Sequence, residues 1–504
     1  MTNPLADALV APLATREDAV LFTPEGAEIT GQALHALSGQ IANVLTSAGV
    51  SPGDRVVMQT EKSVPALALY LACLRSGALF LPLNTAYTSA ELEYFLGDAE
   101  PKVVVCDPSA EQALTPLAEA SAITLFTLDP SGKGSLTEAA AQMDSGFDTI
   151  ARGSDDLAVI LYTSGTTGRS KGAMLSHGNL LSNAESLTEA WRFTSDDTLL
   201  HALPIFHAHG LFVAVNVSLR AGGRMIWLPK FNADMVLANL PKATSMMGVP
   251  TFYTRLLADP RFTRDITQHM RLFISGSAPL LAETHREFEA RTGHRILERY
   301  GMTETTMNTS NPYEGERRAG TVGLPLPGIE ARIVDETSGE TLPQGEIGIL
   351  EVKGPNVFQG YWRMPEKTTE EFREDGFFIT GDIAQTDADG YISIVGRAKD
   401  LIISGGYNVY PKEVETVIDA IDGVLESAVV GAPHPDFGEA VMAVVVRAEG
   451  SDIAEEGIQS ALAGQLAKFK CPKCVFFLDA LPRNTMGKVQ KNILRDQFGA
   501  TFQS

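Results

Sequence analysis

Apolar positions along the chain follow two periods. Between Gly31 and Gly49, Leu34, Leu37, Ile41, Val44 and Leu45 fall at helical spacing, and Pro52, Gly53 and Asp54 then turn the chain into a strand over Arg55 to Met58. The same alternation predicts helices over Leu67 to Leu74 and Ala90 to Leu96, and strands over Leu79 to Leu83 and Val103 to Cys106, so the first third reads as α/β. The unbroken apolar run Leu157 to Leu161 predicts a buried strand, and Ala173 to Leu175 another. From Val322 to about Arg397 the segments shorten. They are punctuated by Pro325, Pro327, Gly328, Gly345, Gly348, Gly354 and Gly376, which predicts a small antiparallel sheet or barrel. Beyond Asp400 a helix over Pro411 to Ile421 and a strand over Ala440 to Arg447 predict a compact α+β unit. The division expected is 1–397, a junction at 398–400, and 401–504.

Composition narrows the function classes. The 504 residues are 44% hydrophobic and 20% charged, ordinary for a globular protein, and the net charge of −22 speaks against sequence-independent nucleic-acid binding and against a polybasic membrane anchor. The first residues lack a basic and apolar leader, and the apolar stretch Val64 to Leu74 is too short to span a bilayer, so a cytoplasmic protein with no membrane partner is expected. Four cysteines, at 73, 106, 471 and 474, are too few and scattered for a disulfide framework. The Cys471-Pro-Lys-Cys474 pair has no second Cys/His pair at zinc-finger spacing.

Four polar segments carry candidate chemistry. Tyr162 to Gly172 reads Tyr-Thr-Ser-Gly-Thr-Thr-Gly-Arg-Ser-Lys-Gly, in which glycines bring backbone N–H groups inward while hydroxyls and Lys171 add donors for a polyanion. It lacks the Gly-Lys-Ser/Thr ending of a Walker A loop. Arg299 to Thr305 places a hydroxyl and a carboxylate beside Gly301, suited to a phosphate and its Mg²⁺. Phe378 to Asp382 ends a strand in a carboxylate that can accept from ribose hydroxyls, and Pro482 to Lys491 holds Lys488 next to a glycine. Asp387 to Gly390 lacks the remaining ligands of a calcium loop and reads as a hairpin turn.

In this order, together with Val395 to Asp400 and Gly405 to Pro411, these motifs resemble the adenylate-forming superfamily of acyl-CoA synthetases, peptide-synthetase adenylation domains and luciferases, over nearly the whole chain. The resemblance implies a large N-terminal domain of two α/β subdomains plus a small β-barrel-like subdomain, and a small mobile α+β C-terminal domain. It implies attack of a carboxylate on the α-phosphate of MgATP, then capture of the acyl adenylate by coenzyme A. By the same resemblance, Thr163, Ser164, Gly165, Thr166, Thr167, Gly168 and Lys171 embrace the β- and γ-phosphates, with Thr167 and Glu304 as metal ligands and Thr303 at the α-phosphate. Gly276, Ser277, Ala278 and Pro279 with Glu298, Arg299, Tyr300, Gly301 and Met302 form the adenine pocket, Asp382 and Arg397 hold the ribose, and Lys488 is catalytic. Lys399 is the hinge, and Gly405, Gly406 and Tyr407 line the coenzyme A path.

For the acid, the positions that the family uses for its acyl pocket are Ser277, Gly301, Met302, Met307 and the segment Pro204 to Gly210, which contains His207 and His209. Arg286, on a helix expected from Pro279 to near Gly293, shares a face with Pro279 and Ala282 and is expected to clamp a second carboxylate. In length and in these pocket residues the chain resembles malonate-CoA ligases, with methylmalonate as a second substrate. The alternatives are a CoA ligase for another short, branched or aromatic acid, an adenylation unit that loads a separate carrier protein, and a nucleotide-binding pseudoenzyme. Lys488 also resembles the lysine that acetyltransferases modify in related synthetases, which makes such an enzyme an expected partner.

Overall fold

The computed structural model describes residues 2–163, 170–404, 407–435, 437–463, 465–484 and 487–502. Two large sheets carry the first three hundred residues. One runs Thr124–Thr127, Val103–Cys106, Arg55–Gln59, Leu79–Pro82, Leu157–Thr163, Lys171–Ser176; it is parallel except for the last pair, a hairpin. The other has six parallel strands at its centre, in the order Leu297–Met302, Leu272–Ser275, Ser245–Gly248, Thr198–His201, Arg224–Trp227 and Ala19–Phe22. Antiparallel strands Thr306–Ser310 and Leu324–Pro325 extend one edge, and Glu28–Thr30 the other. The helix Val64–Ser76 shows why these layers pack. Ser63 caps its start, Gly77 in the left-handed conformation ends it, and every residue from Ala66 to Ser76 is buried.

The expected small sheet is present as four antiparallel strands, Glu330–Val334, Gly348–Lys353, Phe378–Thr386 and Ile392–Arg397. A single 3₁₀ turn, Ala398–Asp400, leads from it to a fourth sheet in which Val424–His434 and Gly438–Arg447 form the longest pair. Two apolar clusters cover the faces of that last sheet, one around Val414, Ile418 and Val429, the other around Val430, Met442 and Leu494. The helix expected from Pro279 begins at Ala282, because Leu281 is still extended, and it ends on left-handed Gly293. Among the described residues no helix is long and apolar enough to cross a membrane.

Candidate active site

Ligands of open α/β sheets bind beyond the carboxyl ends of parallel strands. Here the loop Gly276 to Leu281 follows the strand Leu272–Ser275, and Tyr300 to Glu304 run off the end of Leu297–Met302. The third sheet brings Asp382 to the same place, where the Tyr300 hydroxyl donates to its Oδ2. Asp382 stands opposite Arg397 in antiparallel register, with the guanidinium 3.5 Å from Oδ1. Burial and the Asp382 charge hold the Tyr300 phenol well above its usual range, so it remains a donor.

At the opposite end, Thr163 and Lys171 pair across the hairpin that encloses the glycine-rich loop. Ser164, Gly165, Thr166, Thr167 and Gly168 lie outside the described residues, as do Gly405 and Gly406. Lys171 bonds Glu371 at 2.9 Å and lies 4.0 Å over the Tyr361 ring. The Tyr361 hydroxyl is 2.6 Å from Glu371 Oε2 and 3.0 Å from Glu304 Oε1. Sequence reasoning missed Tyr361 and Glu371, for Tyr361 lies in an irregular stretch and Glu371 in a run of surface charges. Glu304 is buried, and desolvation raises its carboxyl pKa, opposed by the Tyr361 bond and the Lys171 charge. The hard carboxylate oxygens of buried Glu304 fit Mg²⁺, which takes one or two carboxylates and completes its shell with phosphate and water.

Lys488 brings the far end of the chain into this site. Its backbone N–H donates to Asn484 Oδ1 at 2.9 Å, and its ammonium feels Arg397, Asp382, Glu304 and Arg299 together. Burial and the Arg397 charge push it down to about 8, while Asp382 and Glu304 oppose the shift. His207 feels the Lys488 charge, and burial first, then that ammonium, lowers its ring to about 4, so it is neutral. Lys399 is pushed down to about 8 by burial and by Arg397, next to an Asp400 that Arg495 bonds at 2.6 Å. Tyr407 is exposed and stacks on Phe469, with ring centroids 4.8 Å apart.

The acid end requires two corrections. Arg286 is exposed: its helix buries Thr284, His285, Phe288 and Thr292 and turns residue 286 to solvent, so the expected clamp is not in the pocket. Arg299, expected beside adenine, projects to the other side of its strand from Tyr300, as alternation along a strand requires. It is 3% exposed, packs against Gly276, and has no partner for Nε or Nη2 among the described residues. Beside it, His209 Nδ1 meets Ser277 Oγ at 3.1 Å, and the Nε2 atoms of His207 and His209 have no partner among the described residues. Ser277 holds φ at +71°, a strained backbone for a non-glycine residue. Glu298 is buried, raised to about 8 by desolvation, and accepts from the Leu280 N–H at 3.2 Å. Met307 is buried behind Gly301, where a methyl group would meet the Thr306 carbonyl. Ala278 is half-buried and Pro279 exposed.

A family model described as AMP-binding enzyme matches residues 11–362, and one described as AMP-binding enzyme C-terminal domain matches 413–488. The chain belongs to this family of adenylate-forming enzymes. Feruloyl-CoA synthase of Amycolatopsis sp is 37% identical, over 94% of this chain and 95% of that one, and malonate–CoA ligase of Arabidopsis thaliana is 35% identical over 91% and 80%. ATP-bound MatB from Rhodopseudomonas palustris is 60% identical over the full length of both chains and superposes with a TM-score of 0.98. Apo MatB gives 0.86. The placement of Lys488 beside Asp382 and Glu304 thus belongs to an arrangement that matches an ATP-bound relative. The protein is an AMP-forming acid–thiol ligase with ATP and coenzyme A as co-substrates, and Mg²⁺ is the usual ion of the family.

Proposed function

We propose that the protein is a malonate–CoA ligase that forms malonyl-CoA, and also methylmalonyl-CoA, through an acyl adenylate. Relatives named malonate–CoA ligase in Arabidopsis thaliana and Bos taurus support the reading. The observation that carries it is Arg299: a buried guanidinium with two nitrogens that have no partner among the described residues, beside His209, whose Nε2 likewise has none. A second carboxylate on the acid supplies the missing acceptors in a bidentate pair, whereas a monocarboxylate leaves a buried charge unpaired. The exposed Arg286 has no part in this.

In the first half-reaction one malonate oxygen attacks the α-phosphorus, the bond from that phosphorus to the bridging oxygen breaks, and pyrophosphate leaves. Carboxylate and triphosphate repel each other, and Lys488 answers the charge as it shifts to the bridging oxygen. Thr303 reaches the α-phosphate, Thr163 to Lys171 enclose the outer phosphates, and Tyr300, Asp382 and Arg397 fix the nucleoside. Glu304 with Thr167 would hold Mg²⁺, which would supply positive charge against the phosphates. In the second half-reaction the thiol of coenzyme A attacks the acyl carbon and AMP leaves. We assign residues 401–504 to a mobile unit that turns about Lys399 between the steps, withdraws Lys488 and brings Gly405, Gly406 and Tyr407 to the thiol path. A cytoplasmic location, and an acetyltransferase that silences Lys488 by removing its charge, complete the reading. Acetylated protein that kept full activity would sink the last point.

The test is AMP release with malonate, methylmalonate, acetate, butyrate and benzoate, in wild type, Arg299→Leu and Arg286→Ala. The expected result is malonate-selective turnover, lost in Arg299→Leu and kept in Arg286→Ala. Preference of the wild type for benzoate or butyrate would replace malonate with another acid, and adenylate formation without release to coenzyme A would point to a separate carrier protein.

A further inference from the structure

The stretch Phe358 to Trp362 is fastened on both sides to residues of the ATP site. On one side the Gln359 N–H donates to the Met174 carbonyl at 2.8 Å, the Met174 N–H to Gly360 at 2.9 Å, and the Trp362 N–H to Gly172 at 2.7 Å. These bonds attach it to the strand that begins with Lys171. On the other side the Phe358 N–H donates to the Glu304 carbonyl at 2.8 Å. The stretch is itself fixed. Gly360 has φ of +122°, a side chain there would strike Thr368, and the Thr368 hydroxyl accepts the Tyr361 N–H at 2.9 Å.

The side chains repeat the connection. Tyr361 places its ring 4.0 Å below the Lys171 ammonium and its hydroxyl between the carboxylates of Glu304 and Glu371. Glu371 closes the circuit by bonding Lys171 at 2.9 Å, and Lys367 approaches the same oxygen at 3.3 Å. Lys171 and Glu304 come from distant parts of the chain, and backbone and side-chain bonds both lead from one to the other through residue 361. Long lysine side chains lose much rotamer freedom when they bind a phosphate, and prior fixation removes that cost.

We propose that Tyr361 and Glu371 are positioning residues for the metal–triphosphate end of the ATP site: together they set the spacing between the Lys171 ammonium and the Glu304 carboxylate. The pair acts on the β- and γ-phosphates and their ion, and leaves the nucleoside end to Tyr300, Asp382 and Arg397. This rests on the family's use of MgATP and not on which acid is activated.

The test is equilibrium binding to the full chain of two ligands, AMP and the Mg²⁺ complex of the α,β-methylene analogue of ATP, which is not cleaved at the reacting bond. Tyr361→Phe keeps the ring under Lys171 and removes only the hydroxyl; Glu371→Gln keeps the shape and removes the charge. Each variant is expected to bind the Mg²⁺–analogue complex about tenfold more weakly, as expected for loss of a hydrogen bond to a charged group. Each also needs more Mg²⁺ for half-saturation, while AMP binding and the KM for the acid stay within about twofold, inside the scatter of distant, independent sites. Equal weakening of both nucleotides would reduce the two residues to general supports of the fold and overturn the assignment. So would unchanged binding of both, or a loss in only one of the two variants. Thermal unfolding of each variant establishes that the protein measured is folded.

Discussion

A methyl group at position 276 would lie 2.3 Å from the guanidinium carbon of Arg299, so Gly276 leaves the space in which that side chain lies. Gly276→Ala must push the guanidinium away from its place. Displacements of about an ångström at a reacting group cost roughly 10²-fold, so kcat/KM for malonate falls by about that factor. Steady-state rates with each substrate varied in turn decide it, and an unchanged malonate constant would separate Arg299 from the acid.

The role proposed for Lys488 requires a cation, and its surroundings put its pKa at about 8. Burial and Arg397 lower it, and the sign follows: kcat/KM for ATP is level below about pH 8 and drops as the ammonium deprotonates above it. Lys488→Arg, charged throughout, is expected to remove this alkaline limb at a lower overall rate. Lys488→Ala loses roughly 10²- to 10³-fold in adenylate formation, the range for one well-placed electrostatic group. A profile in Lys488→Arg that still breaks near pH 8 would assign the limb to another group.

The Tyr300 hydroxyl that donates to Asp382 holds this carboxylate where a ribose would meet it. Tyr300→Phe is expected to weaken AMP by about tenfold, the loss for one hydrogen bond to a charged group. Pyrophosphate, which carries no ribose, binds as before. Calorimetric titration with each ligand separates the two, and equal effects on both would contradict the division of the site into nucleoside and triphosphate ends.

Lys399 lies in the 3₁₀ turn between the third and fourth sheets. Proline at 399 fixes φ and removes rotation there. Adenylate formation from ATP and malonate continues in Lys399→Pro, while thioester formation from supplied malonyl adenylate stops. Full thioester synthesis in this variant would place the pivot elsewhere.

Much of this architecture is legible in the chain. The strand Val103–Cys106 has the expected bounds, the antiparallel sheet stands where short segments between glycines predict it, and Glu304, Asp382, Arg397 and Lys488, each from a different motif, come close enough to feel one another's charge. The failures have physical causes. Helical spacing says which residues share a face but not where the face points; buried Phe288 and Thr292 orient the helix and turn Arg286 outward. Arg299 is adjacent to Tyr300 in one motif, yet strand alternation sends the two apart. Glu371 is 200 positions from Lys171, and no local pattern announces so distant a bond.

Arg299 also implies a tension between endurance and discrimination. Burial lowers its pKa to about 9, and two of its nitrogens lack acceptors among the described residues, so the ligand-free fold carries an unfavourable desolvation that a bound carboxylate relieves. A hydrocarbon side chain at 299 would yield a protein that survives more heat and no longer tells a diacid from a monoacid. In the native chain the second carboxylate is therefore a stabiliser as well as a substrate group, and malonate should raise the melting temperature where acetate at equal concentration does not.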